Sequence, residues 1–88
     1  MTLQELREEI KSWVRNDFDK LVDFLNIHLE LPSRETSSIV TVYKYKLDND
    51  ENILVSMHKI YGTMCFLESR GNVFRLDNKT LEFKQERN

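Results

Sequence analysis

The chain has 88 residues, of which 40% are hydrophobic and 32% charged, and its formal net charge at pH 7 is −2. This composition is too apolar for a disordered chain and indicates a single small domain, over residues 1–88. No apolar run is long enough to span a membrane, the single cysteine excludes an internal disulfide, and the charged N-terminus does not resemble a signal peptide, so we expect a cytoplasmic protein with no membrane partner.

The first predicted element is an N-terminal helix. Thr2 and Glu5 have the spacing of a capping box. Apolar residues then recur at steps of three and four, and the opposite face is mostly acidic. Asn16-Asp17 could kink or recap the helix, but the apolar stripe continues through this pair. One long helix over about residues 3–28 is therefore predicted.

The end of this helix is ambiguous in the sequence. Pro32 requires a break at or before Leu31. We therefore expect residues 29–31 to be extended and residues 33–38 to form a surface loop. Residues 25–31 also alternate between apolar and polar, so a short strand there is the alternative.

From residue 39 the apolar period changes to two, which predicts strands over about residues 39–47, 53–60, 63–68, 72–77 and 80–85. Tyr61-Gly62 suits a two-residue hairpin loop, and Ser69-Arg70-Gly71 suits a three-residue loop with the glycine in the left-handed region. These loops place one apolar set on a single face: Ile39, Tyr43, Tyr45, Leu47, Ile53, Val55, Met57, Met64, Phe66, Phe74, Leu76, Leu81 and Phe83. The predicted fold is α+β, with the long helix packed across one face of a five-stranded antiparallel β-meander.

Only one stretch suggests catalysis. The two-residue loop would make His58 and Cys65 direct cross-strand neighbours, close enough for a nucleophile and its base. The sequence offers no glycine-rich turn for an oxyanion hole and no identifiable third group, so we expect a protein that is not an enzyme and has no catalytic residues. A Cys–His hydrolase-like enzyme is the less favoured alternative.

Metal and cofactor sites are not predicted. One cysteine and two histidines lack the spacing of zinc ligands. Asp48-Asn49-Asp50 lacks the glycine and the glutamate of a calcium loop.

The second face of the predicted sheet combines cationic and apolar side chains, whereas the solvent face of an antiparallel sheet is normally polar. The predicted protein-binding residues on this face are Val42, Lys44, Lys46, Leu54, His58, Ile60, Leu67 and Arg75. The hypothesis is a small regulatory module, such as an inhibitor, an adaptor or an antitoxin-like protein, that modulates a larger protein. Regulators encoded by phages and mobile elements offer an analogy. A homodimer is another use of the patch, and a nucleic-acid-binding protein with a mildly basic sheet face is the alternative function.

Overall fold

The computed structural model describes residues 1–85. Two helices, α1 (Leu3–Lys11) and α2 (Phe18–His28), precede six strands: β1 (Ser33–Thr36), β2 (Val40–Lys46), β3 (Asn52–His58), β4 (Gly62–Ser69), β5 (Asn72–Leu76) and β6 (Phe83–Gln85). The strands form one antiparallel sheet in chain order. Both helices share one hydrophobic core with one face of this sheet. The α+β class and the meander are confirmed, whereas one helix and five strands were predicted.

The single long helix is wrong. The predicted capping box at Thr2 and Glu5 is present, but α1 ends at Lys11. Asp17 caps a second helix by accepting the Lys20 N–H at 2.8 Å. A straight helix over residues 3–28 would be about 39 Å long, whereas the longest Cα dimension of the protein is 36 Å. The break lets both helices lie on the sheet, and it leaves Val14 fully exposed.

The segment after α2 contains a strand where a loop was predicted. The helix ends at His28, as predicted, and the alternative strand over residues 25–31 is wrong. β1 pairs antiparallel with β2, with Arg34 opposite Tyr43. Every residue of β1 is exposed, so burial imposes no alternation on its sequence.

The β3–β4 hairpin differs from the prediction in a way that reverses a strand. His58 lies opposite Gly62, so the loop has three residues, Lys59–Tyr61, and Gly62 has φ +78°. The predicted two-residue loop is wrong because the glycine serves as the left-handed residue after a three-residue loop. An odd shift in register exchanges the two faces of a strand. Cys65 and Leu67 therefore lie in the core.

The next hairpin compensates for this reversal. Arg70 and Gly71, at φ +51° and +79°, form a two-residue loop in place of the predicted three-residue loop. This is the backbone of a type I′ turn, which matches the twist of the flanking strands. The second odd shift restores the predicted face of β5, so Leu76 is buried.

Four residues of the predicted apolar face neither lie in the buried core nor pack against it. Met64 and Phe66 are on the opposite face because β4 is reversed, and both are partly exposed. Ile39 and Met57 are 50% and 42% exposed. Ile39 precedes β2, and the cross-strand row Thr41–Met57–Thr63 lies beyond the buried part of the sheet.

Candidate functional site

One face of the sheet points away from the helices and the core. We call it the outer sheet face. The register places on it Ser33, Glu35, Val40, Val42, Lys44, Lys46, Asn52, Leu54, Ser56, His58, Gly62, Met64, Phe66, Glu68, Val73, Arg75 and Lys84. Its central row crosses five strands in the order Lys44, Leu54, Phe66, Arg75 and Lys84.

The centre of the outer sheet face is apolar. Leu54 and Phe66 lie directly opposite each other on neighbouring strands, and both are partly exposed. Val42 on β2 and Met64 on β4 flank this pair, and both lie opposite Ser56 of β3. Leu54 and Phe66 are directly opposed, which places their Cβ atoms roughly 5 Å apart. Val42 and Met64 are diagonal to Leu54 at roughly 7–8 Å, within reach of long side chains. The four residues can therefore form one patch.

Charged side chains surround this apolar centre. Lys44 Nζ lies 3.7 Å from Glu68 Oε1, and Glu68 also accepts a hydrogen bond from the Asn52 side chain at 3.1 Å. Arg75 and Lys84 form a cross-strand pair of cations beside Phe66. The apolar patch therefore has a rim that is predominantly positive.

Most of the residues predicted to bind a protein lie on the outer sheet face: Val42, Lys44, Lys46, Leu54, His58 and Arg75. Ile60 is in the β3–β4 loop and is 77% exposed. Leu67 was assigned to the wrong face, because the reversal of β4 leaves it only 1% exposed in the core. Met64 and Phe66 take its place on the outer face. The glycine after Lys59-Ile60-Tyr61 is compatible with the three-residue loop that places them there, but a two-residue loop suits it equally, so the sequence did not identify them.

The predicted cross-strand neighbours His58 and Cys65 lie on opposite faces of the sheet. Cys65 pairs with Val55 and is fully buried, and burial raises the pKa of its thiol to about 12. Nδ1 of His58 accepts the backbone N–H groups of Ile60 and Tyr61 at 3.0 and 3.1 Å. The histidine thus fixes the hairpin loop, and the geometry of a nucleophile and its base is not formed.

Within residues 1–85 the structure contains neither a cluster of metal ligands nor a membrane-spanning helix. No group of three or more His, Cys, Asp and Glu side chains in this part of the chain is placed to hold a metal ion. Neither of its two helices combines the length and the hydropathy needed to cross a bilayer.

No protein-family model, curated protein or solved structure matches the chain. The assignment of function therefore depends on the geometry of the outer sheet face.

Proposed function

We propose that this chain is a small non-enzymatic module that docks on a larger protein through the outer sheet face and modulates it, as an inhibitor, adaptor or antitoxin does. The pairing of Leu54 with Phe66 at the centre of a face that lies opposite the core carries this proposal. A sheet with one face on its core normally presents polar side chains on the other face. An apolar centre inside a polar rim is the usual anatomy of a protein–protein interface.

Charge indicates the chemistry of the partner. The outer sheet face carries the cations Lys44, Lys46, Arg75 and Lys84 against two carboxylates, those of Glu35 and Glu68. Since Lys44 is paired with Glu68, the remaining cations leave the rim positive. A complementary partner has an apolar patch surrounded by acidic side chains. Such complementarity accelerates encounter and disfavours partners of the wrong charge.

A different protein fits this surface better than a second copy of the chain. A two-fold dimer brings the same patch of both copies together. Because this face carries four cations against two carboxylates, two copies would bring together surfaces of the same net charge. Like charges held close together destabilise an interface, so hetero-association is the favoured use.

Nucleic acid is the competing occupant. Phe66 beside Arg75 resembles a stacking platform flanked by a cation. Within the described residues, however, Phe66 is the only phenylalanine, tyrosine or tryptophan on the outer sheet face, and its other neighbour, Leu54, is aliphatic. Single-stranded nucleic acids are usually held by successive aromatic rings, so a protein surface is the better match.

The Leu54→Asp variant is expected to bind the partner at least about 30-fold more weakly while remaining folded, because a charge would enter the centre of the interface. Ile27→Asp is the matched control, since Ile27 is 75% exposed on α2. Affinity capture with the wild-type chain and both variants, followed by calorimetry on the purified partner, measures this effect. The partner should be retained by wild type and Ile27→Asp and lost by Leu54→Asp.

Three results would contradict the proposal. The first is a partner that Leu54→Asp binds as tightly as the wild-type chain does, and the second is unfolding of this variant, seen by circular dichroism. The third is specific capture of nucleic acid with an affinity that falls steeply as salt rises, which would assign the face to the competing occupant. A salt-resistant dimer in light scattering would also overturn the argument against self-association.

A further inference from the structure

β4 is longer than the strand that pairs with it on one side. β3 pairs with β4 from Gly62 to Glu68, whereas β5 pairs only with its last four residues, Phe66–Ser69. Beyond Leu76 the chain leaves the sheet and enters the turn that leads to β6. The first part of β4 therefore has a neighbouring strand on one side only.

The register shows which backbone groups are left on the open side. Ser69 and Asn72 close a two-residue loop, so they form a hydrogen-bonded pair. Alternate residues of an antiparallel strand direct their N–H and C=O groups to the same neighbour. Thr63, like Ser69, therefore directs both groups away from β3, to a side where no strand of the described chain pairs with it.

A cleft of about 720 Å³ lies on this open side of β4. Its lining includes Thr63 and Met64 of β4 and Asn78 of the β5–β6 turn, together with the buried side chains of Phe18 and Leu76. The Phe18 N–H donates to Asn78 Oδ1 at 3.1 Å, which ties the start of α2 to the turn. The volume lies within the range of roughly 300–1,000 Å³ that is typical of ligand sites.

The charges at this cleft favour an anionic occupant. Arg75 and Lys84 lie at its exposed edge, with Lys84 72% exposed. The one carboxylate in the lining belongs to Asp77. This carboxylate accepts the backbone N–H groups of Thr80 and Lys79, at 3.0 and 2.9 Å, which lower its pKa. Lys84 Nζ lies 4.0 Å from Asp77 Oδ2, at the long end of an ion pair, whereas Arg75 has no ion-pair partner within residues 1–85. Arg75 and the exposed Lys84 can therefore both turn toward an anionic ligand.

We propose that the cleft takes a short extended acidic segment of the protein partner. The segment hydrogen bonds to the backbone of Thr63, places a carboxylate against Arg75 and Lys84, and lays an apolar side chain on Phe18 and Leu76. Adding an extended segment to unpaired strand groups is a common mode of peptide recognition. This inference rests on the proposed function, because Met64, Arg75 and Lys84 belong to both the cleft and the outer sheet face.

Selection of a random peptide library on the immobilised chain tests the cleft. The enriched peptides are expected to alternate acidic and apolar residues, because alternate side chains of an extended segment share one face. Titration of an enriched peptide into the ¹⁵N-labelled chain should shift the Thr63 amide and the Asn78 side-chain amide most strongly. No enrichment, or shifts confined to the β1 edge, would overturn the proposal.

A matched pair of variants checks the role of charge. The double variant Arg75→Glu/Lys84→Glu should bind the enriched peptide at least tenfold more weakly. Arg34→Glu/Lys20→Glu makes the same change in charge at two exposed positions that lie outside both the cleft and the outer sheet face, and it should bind as the wild-type chain does. If both double variants bind the peptide equally weakly, the effect is one of net charge and the proposed peptide site is wrong.

The failures of the two proposals are distinguishable. If Leu54→Asp abolishes capture of the partner while Arg75→Glu/Lys84→Glu leaves it unchanged, the cleft is wrong and the proposed function stands. If the peptide binds at Thr63 but Leu54→Asp has no effect on the partner, the docking face is wrong and the peptide site stands.

Discussion

Truncating Leu67 to alanine is expected to lower the free energy of unfolding by about 3 kcal/mol, and truncating Phe66 by about 1 kcal/mol. Leu67 is 1% exposed and packs in the core, so its loss leaves a cavity. Phe66 is partly exposed on the outer sheet face, where the truncated site remains open to water. Urea unfolding of both variants, at an unchanged denaturant slope, measures the difference.

This pair of substitutions also tests the register of β4. A two-residue loop at Tyr61-Gly62 would place Phe66 in the core and Leu67 outside it, and the two costs would be exchanged. A larger loss of stability for Phe66→Ala than for Leu67→Ala would therefore contradict the β3–β4 hairpin described above. Val73→Ala, on the outer sheet face and 36% exposed, supplies a reference for a peripheral truncation.

The Cys65 thiol is expected to react with iodoacetamide at pH 8 about a thousandfold more slowly in the folded chain than in the urea-unfolded chain. Desolvation by burial raises its pKa from the ordinary 9.0 to about 12. The reactive species is the thiolate, whose fraction falls about tenfold for each unit by which the pKa rises. Mass spectrometry of timed samples measures both rates. Comparable rates in the two states would show that the thiol is accessible, contrary to its burial.

The same burial predicts a loss of stability in alkali. Between pH 9.0 and about 12 the unfolded chain has released the thiol proton while the folded chain retains it. The unfolded state then binds fewer protons, so the free energy of unfolding falls by about 1.4 kcal/mol per pH unit. Tyr45 adds a loss of the same sign above its ordinary pKa of 10.0, because desolvation raises its pKa in the folded state. Cys65→Ala should remove the part of the slope that begins near pH 9, and an unchanged slope would contradict this assignment.

The elements with strong local signals could be predicted from the sequence. The capping box at Thr2 and the buried face of β2 follow from residue spacing. The helix end near His28 was placed correctly, although the sequence left a strand over residues 25–31 as the alternative. The sequence did not decide between one long helix and two short ones. The apolar stripe continues past Asp17, which favours one helix, whereas Asp17 is also a good N-cap, which favours two. β1 was missed since exposed strands carry no alternation.

The alternation of side chains did not identify which face of β4 is buried. Both of its candidate faces are apolar, since Met64 and Phe66 alternate with Cys65 and Leu67. Loop length decides between them, and each of the two flanking hairpins has a glycine that is compatible with a loop of two or three residues. The candidate docking face was found because β2, β3 and β5 were assigned to the correct faces. The cleft beside Thr63 depends on where β5 stops pairing, which no local pattern encodes.

β1 is one of the two edge strands of the sheet, and its charged side chains disfavour pairing with the β1 strand of a second copy of the chain. In a two-fold dimer that continues the sheet through β1, the two β1 strands pair antiparallel, and the residues that lie opposite each other share one face. A pairing centred within β1 therefore sets Arg34 against Arg34 or Glu35 against Glu35. Like charges directly opposite each other oppose such pairing. The β1 edge thus disfavours a continuous sheet of identical chains. Its outward backbone groups pair with no strand of residues 1–85 and can accept a strand without this symmetry.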